Sequence, residues 1–257
     1  MAAVISMTGK TLAIQSFSAT STGYCQLARW SSQLGAVRRA GVEGSGNYGA
    51  ALTRYLLSQG IEVIEAPGPG RAARRRRGKS DQDDAEAAAR AVLSGRARSR
   101  VKSGDGPIEI ARMYTVARDS AVKARTQAVN QLKAVLVTAD PVLREELAGV
   151  KRRALIRACV LLGEDEETDP VLRATRYTLR TLAERIEQLS EQARELQKRL
   201  SELIEAHYPQ LCAAVGVGPQ SAAVLLIAMG DNADRLRGEA SFAALCGASP
   251  VEYSSGG

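Results

Sequence analysis

From Leu172 to Leu203 the apolar positions recur every seven residues. Leu172, Leu179, Ile186, Ala193 and Leu200 form one series, and Thr175, Leu182, Leu189, Leu196 and Leu203 form the other. Four heptads of this kind, with Glu, Arg and Lys between them, predict a coiled coil or one arm of a long helical hairpin. Association between copies is the preferred reading of the seam, and packing against the chain's own helices is the alternative.

The N-terminal third has a different rhythm. Residues 2–6 and 11–17 read as two short strands of a hairpin around Gly9 and Lys10. A helical pattern over Gly23–Leu34, with Tyr24, Leu27, Ala28 and Trp30 on its apolar side, precedes a strand over Ala36–Val42. A glycine-rich turn, a helix over Ala50–Ser58 and a strand over Ile61–Ala66 follow. This alternation is the signature of an α/β sheet with parallel crossovers.

PGPG at Pro67–Gly70 is a loop, and SGDGP after Lys102 is a second break. Ile108–Val137 is a long helix stopped by Asp140-Pro141. Leu143–Leu162 makes one or two more helices, and GEDEETDP is an acidic linker. Near the end, VGVGP opens an apolar helix with Pro219 in its first turn. Its glycines, Gly216 and Gly218, resemble the turn of a helix-hairpin-helix that offers amides to a nucleic-acid phosphate. A plain turn explains the same residues.

Composition narrows the chemistry. The 257 residues carry 35 Lys and Arg against 28 Asp and Glu, a formal charge of +7, and the excess is concentrated in Arg71–Lys79 and Arg96–Lys102. Clustering of this kind points to a nucleic-acid partner. Aromatic residues are only 4%, which argues against broad base-stacking platforms. Cys25, Cys159, Cys212 and Cys246 are isolated from one another, so they read as small buried apolar residues of a reducing compartment, with no zinc site or disulfide frame. The single histidine, His207, excludes catalysis by paired histidines and reads as a structural residue at a helix end. No apolar run is long enough to span a membrane, and MAAVISM is not a signal peptide, so a soluble cytoplasmic protein is expected.

The stretch from Arg71 to Arg90 combines both signs of charge. Arg74, Arg75, Arg76 and Arg77 lead through Gly78 and Lys79 to Ser80, and Asp81, Asp83 and Asp84 follow. Ser80 or Asp81 reads as the N-cap of a helix that reaches about Ser94 and is closed by Gly95. On that helix Asp81 and Asp84 share a face, beside the arginines. Carboxylates that hold hard cations next to cations that hold phosphate suit a metal-dependent enzyme acting on nucleic acid. The same acids also complement the helix dipole, and Ser80 with Asp83 resembles a capping box. Glu43, at the carboxyl end of its strand in VEGSGNYGA, lies where open α/β sheets place their sites, or simply faces solvent.

Together, GVEGSGNYGAAL, GKSDQDDAEAAARAVLSG, DGPIEIARM, KARTQAVNQLKAVL, GVGPQSAAVLLIAMGDNADRLRGEASFAALCGASP and PVEYSSG resemble the DEDD-type transposases of bacterial insertion sequences. These are serine-nucleophile recombinases guided by a noncoding bridge RNA. The resemblance implies an α/β plus all-α protein. A RuvC-like domain of the ribonuclease H type would occupy 1–104 and a helical linker 105–163. A coiled coil joining protomers would occupy 164–206, and a partial C-terminal transposase domain 207–257. By motif, Glu43 matches the family's Glu, and Asp81 and Asp84 match its last two Asp residues; these would bind Mg2+. Asp83 does not match and reads as a cap residue. Ser254 or Ser255 would be the nucleophile toward DNA, and Arg74–Arg77, Lys79, Gly216 and Gly218 would contact nucleic acid.

Three departures from the family pattern bear on activity. No aspartate precedes Asp81, although the family's first aspartate lies on the first strand. APGPGR stands where relatives carry an Asn-Arg-Pro-Asp segment. The basic segment of Arg-His-Arg-Leu-Asn type that follows S-S-G in relatives is missing. The expectation is therefore a fragment or a wrongly bounded reading frame of a DNA transposase, with impaired catalysis. The alternatives are an inactive nucleic-acid-binding fragment that associates with intact protomers, and a hydrolytic nuclease or resolvase that would tolerate loss of both serines.

Overall fold

The computed structural model describes residues 1–66, 81–163, 169–231, 236 and 238–249. The chain divides into two units, Met1–Glu109 with Leu225–Gly257, and Ile110–Val224.

The first unit begins with β1 (Ala2–Ile5) and β2 (Thr11–Gln15), an antiparallel hairpin as its alternating pattern predicts. Helix α1 (Ser21–Gln33) is capped by the Thr20 hydroxyl, which accepts from the Gly23 amide at 3.2 Å. β3 (Arg39–Glu43), α2 (Ala50–Ser58) and β4 (Glu62–Ala66) form a crossover unit whose strands pair in parallel, Gly41 opposite Ile64 and Glu43 opposite Ala66. One layer packs Val42, Val63 and Val101 with Leu56 of α2.

On the other face lies α3 (Asp81–Leu93), whose Ala91 and Val92 cluster with Ile64 and Ala97. The contact with β3 is made at Gly41. A Cβ there would lie 2.9 Å from Val92 Cγ2 and 3.2 Å from the carbonyl oxygen of Ala88, so only glycine lets the helix lie this close. Beyond α3, Gly95 takes a φ of +69°, as its role closing the helix requires.

One expectation changes here. Among the described residues no single sheet runs through all the strands: the hairpin and the parallel pair are separate two-stranded sheets, with α3 packed against β1 as well as β3 and β4. Local alternation identifies strands, whereas which strands pair is settled by packing between distant segments.

The second unit is helical. Helix α4 (Pro107–Val137) enters it, followed by α5 (Pro141–Glu146), α6 (Arg152–Val160), α7 (Pro170–His207) and α8 (Pro209–Cys212). Helix α9 (Pro219–Met229) leads back into the first unit, where α10 (Glu239–Leu245) also lies. The region expected to hold one or two helices after Asp140 holds two. Asp140 and Asp169 each accept from backbone amides one residue past a proline at N1, which is why α5 and α7 begin where they do.

The heptad region is one continuous helix, and its first series is already used within the chain. Leu179 and Ile186, with Ala183, are buried in a core with Leu132, Leu143, Leu147, Leu155 and Cys159 of α4, α5 and α6. Ala193 and Leu200 are buried too. Intramolecular packing, the alternative reading of the seam, therefore accounts for this face. Leu182, Leu189, Leu196 and Leu203 of the second series keep part of their surface in water.

The cysteines divide differently from the expectation. Only Cys159 is fully buried, and burial raises its thiol pKa; Cys25 and Cys246 are exposed. All four are free thiols. Among the described residues no helix is long and apolar enough to cross a membrane.

Candidate active site

Glu43 is the last residue of β3 and is exposed. Side chains alternate along a strand, so Glu43 shares its face with Gly41, the face on which α3 packs. The turn that follows is tied on several sides. The amides of Asn47 and Gly49 donate to the Gly44 carbonyl at 2.9 and 3.0 Å. A Cβ at Gly49 would lie 2.7 Å from Val42 Cγ1 and 2.8 Å from the Glu43 carbonyl oxygen, so the glycines serve the turn and a close backbone approach. The buried Ser45 hydroxyl donates to the Glu65 carboxylate, on the strand paired with β3. Ser45 and Glu65 thus pin the segment that carries Glu43, from the opposite face of the sheet. The sequence holds no signal for this pair, because a Ser and a Glu twenty positions apart form no motif.

Asp81, Asp83 and Asp84 occupy the first turn of α3. Asp81 and Asp84, three residues apart, lie on one face of it as expected; Asp84 is half-buried and Asp81 exposed. The helix is anchored further along by Arg90, which pairs with Glu86 at 2.6 Å and donates to Thr11 Oγ1 of β2 at 3.0 Å.

Among the described residues no three His, Cys, Asp or Glu side chains stand together as a set that could hold a metal ion. The structure therefore brings Asp81 and Asp84 onto one turn but does not gather Glu43 with them into a single ligand cluster. Two neighbouring carboxylates nevertheless suit Mg2+ chemically. That ion prefers hard oxygens and keeps several waters, with one or two protein carboxylates as its usual anchors.

The other residues singled out from the sequence fall elsewhere. Arg74, Arg75, Arg76, Arg77, Lys79 and Ser80 lie outside the described residues, as do Ser254 and Ser255. In the helical unit, Gly216 takes a φ of +82° in the turn between α8 and α9, a conformation that favours glycine. The Gly218 carbonyl accepts from Ala222 at 2.9 Å at the start of α9. His207 is the last residue of α7, with Nδ1 3.0 Å from the Leu203 carbonyl oxygen, which fits the structural role expected of it.

Two contacts in the first unit went unread in the sequence. Asp231 Oδ1 accepts from the Ile108 amide at 3.0 Å and so caps the first turn of α4, and Lys102 donates to the Ile227 carbonyl. They join the end of the α/β region to the last turn of α9 and the residue Asp231 beyond it, more than a hundred positions away, which no local pattern reports.

Two family models match the chain. One, described as Transposase (DEDD_Tnp_IS110), covers residues 1–141, and the other, described as Transposase IS116/IS110/IS902 family, covers residues 209–257. No curated protein matches it.

Proposed function

Because the chain belongs to the DEDD_Tnp_IS110 family of transposases, whose model covers more than half of its length, we propose that it is a DNA recombinase that cuts and rejoins strands through a serine and a carboxylate-bound Mg2+. The observation that carries the reading is the co-occurrence, in order, of both transposase models on one chain. The α/β region is read as RuvC-like, of the ribonuclease H type.

In this reading Asp81 and Asp84 hold the metal, with Glu43 as the third carboxylate on the neighbouring strand end. The placement of Glu43 on the α3 face of β3, and of both aspartates on the first turn of that helix, supports the assignment. The ion, when bound, would supply positive charge to the scissile phosphate and to the departing oxygen. The Ser45–Glu65 contact keeps the end of β3 in place, and Arg90 keeps α3 seated on the hairpin.

Ser254 or Ser255 attacks phosphorus. An Oγ–P bond forms as the bond from phosphorus to the sugar oxygen breaks, the hydroxyl proton leaves, and the sugar oxygen takes up a proton. The phosphodiester bond count is conserved, so rejoining by the reverse attack needs no external energy source. Arg74–Arg77 and Lys79 neutralise phosphates, and Gly216 and Gly218 present backbone to a phosphate at the turn before α9. A noncoding guide RNA selects the DNA. Copies associate along α7 through the partly exposed ridge of Leu182, Leu189, Leu196 and Leu203, since the other series is consumed within the chain.

A strand-transfer assay on a donor–target DNA pair with guide RNA tests this. Replacing Glu43, Asp81 or both terminal serines by Ala should lower transfer by at least about a hundredfold. Unchanged transfer in Glu43→Ala would remove Glu43 from the site. Strand cleavage that survives loss of both serines would mark a hydrolytic nuclease instead.

A further inference from the structure

After α3 the chain returns along β4. The Glu65 amide donates to the Ser99 carbonyl at 2.8 Å, Ile64 bridges Arg100 in antiparallel sense, and the Val101 amide donates to the Val63 carbonyl at 3.4 Å. Residues 99–101 thus run antiparallel along the outer edge of β4, joined to it by a single bridge and outside the two regular sheets. Val101 is buried with Val63 on one face and Ala97 with Ile64 on the other, while Arg96, Arg98, Ser99, Arg100 and Lys102 are exposed. Arg100 reaches Glu62 at 3.3 Å, and Arg39, opposite Glu62 in register, reaches the same carboxylate at 2.8 Å. The two arginine side chains remain 61% and 56% exposed. One carboxylate therefore faces two guanidinium groups, within a row that carries three further cations.

Basic residues on an edge strand also discourage pairing with other chains, but that role explains neither Arg39, which is not on this edge, nor the shared acid. Alternate residues of a strand lie about 6.6 Å apart, a spacing of the same order as that of successive phosphates along a nucleic-acid strand. Arg39 lies at the start of β3 and Glu43 at its end, with the α3 contact on Gly41 between them. The row is therefore separate from the carboxylates.

We propose that Arg96, Arg98, Arg100 and Lys102, with Arg39 across the sheet, form a phosphate-tracking surface that holds a nucleic-acid backbone away from the carboxylate site, and that Glu62 organises its guanidinium groups while competing with the phosphates for them. The inference rests on the reading of the protein as a nucleic-acid enzyme and assigns one of its contact surfaces. The ligand chemistry is the phosphodiester, which duplex DNA and a folded RNA both supply.

Fluorescence anisotropy of the full chain with a labelled DNA duplex and with a labelled RNA hairpin, across about 50 to 200 mM salt, tests it. In Arg98→Gln/Arg100→Gln the slope of log affinity against log salt on the preferred ligand should flatten by about 1.8, the value for two lost phosphate contacts on a duplex. Affinity at the lower salt should fall by about tenfold or more. Glu62→Gln should tighten binding. Flattening with only one of the two ligands supports the surface and identifies that ligand as its source. The wild-type slope retained by the double variant on both ligands, or weaker binding in Glu62→Gln, would overturn the proposal while leaving the recombinase reading intact. A wild-type chain with no salt-dependent binding to either ligand would overturn both. Circular dichroism melts of each variant separate lost contacts from lost fold.

Discussion

In the helical unit Leu132, Leu143, Leu179, Leu200 and Ile204 are each no more than 2% exposed, whereas every residue of β1 in the sheet-bearing unit keeps part of its surface in water. The helical unit is held by large side chains from several helices packed into one core. Among the described residues, the sheet-bearing unit packs smaller clusters on the two faces of the β3–β4 sheet, and α3 meets that sheet at a glycine. The difference bears on where the proposed site would lie. The acidic residues proposed for the site lie at the ends of elements in the sheet-bearing unit, where Glu43 and Asp81 reach solvent.

The largest effect on stability should come from breaking the helical core. Leu179→Ala removes a fully buried side chain and should cost about 2–5 kcal/mol, seen as a lowered denaturant midpoint. A midpoint equal to wild type would mean that α7 does not rely on this series. Next in size is Gly41→Val, which forces a branched side chain into Val92 and the Ala88 carbonyl, at about 1–3 kcal/mol. Hydrogen exchange should show α3 losing protection while α7 keeps its own. Equal loss in both helices would erase the distinction between the units.

Smaller again is Asp169→Ala, which removes the amide-accepting cap at 2.9 Å from Val171 and should cost about 1 kcal/mol, with exchange rising in the first turn of α7 alone. The smallest effect concerns pH. Burial raises the Cys159 thiol pKa, so the unfolded chain releases this proton first as pH rises. The contribution is fully present below the ordinary thiol range and is lost as pH climbs through and beyond it. Denaturation midpoints measured across that range should decline less steeply in Cys159→Ala than in wild type.

Much of the local structure was legible in the sequence because its causes are local. The Ala50–Ser58 helix, the stops at Asp140-Pro141 and Gly95, and the acid-rich start of α3 follow from caps, prolines and glycines within a turn of where they act. Glu43 at a strand end and Asp81 with Asp84 on one helical face were legible for the same reason. The separation of the hairpin from the parallel pair, the partner of the α7 seam, the Ser45–Glu65 tie and the Asp231 cap were not. Each depends on residues far apart in the chain, and a heptad reads the same whether a second copy or the chain's own helices cover it.

The central claim is that Glu43, Asp81 and Asp84 serve one divalent ion, and titration of the chain with Mn2+ followed by electron paramagnetic resonance tests it most directly. The account predicts a bound ion that is lost in Asp84→Asn, weakened in Glu43→Gln and unaffected in Asp83→Asn. Wild-type affinity retained in both Asp84→Asn and Glu43→Gln would contradict it.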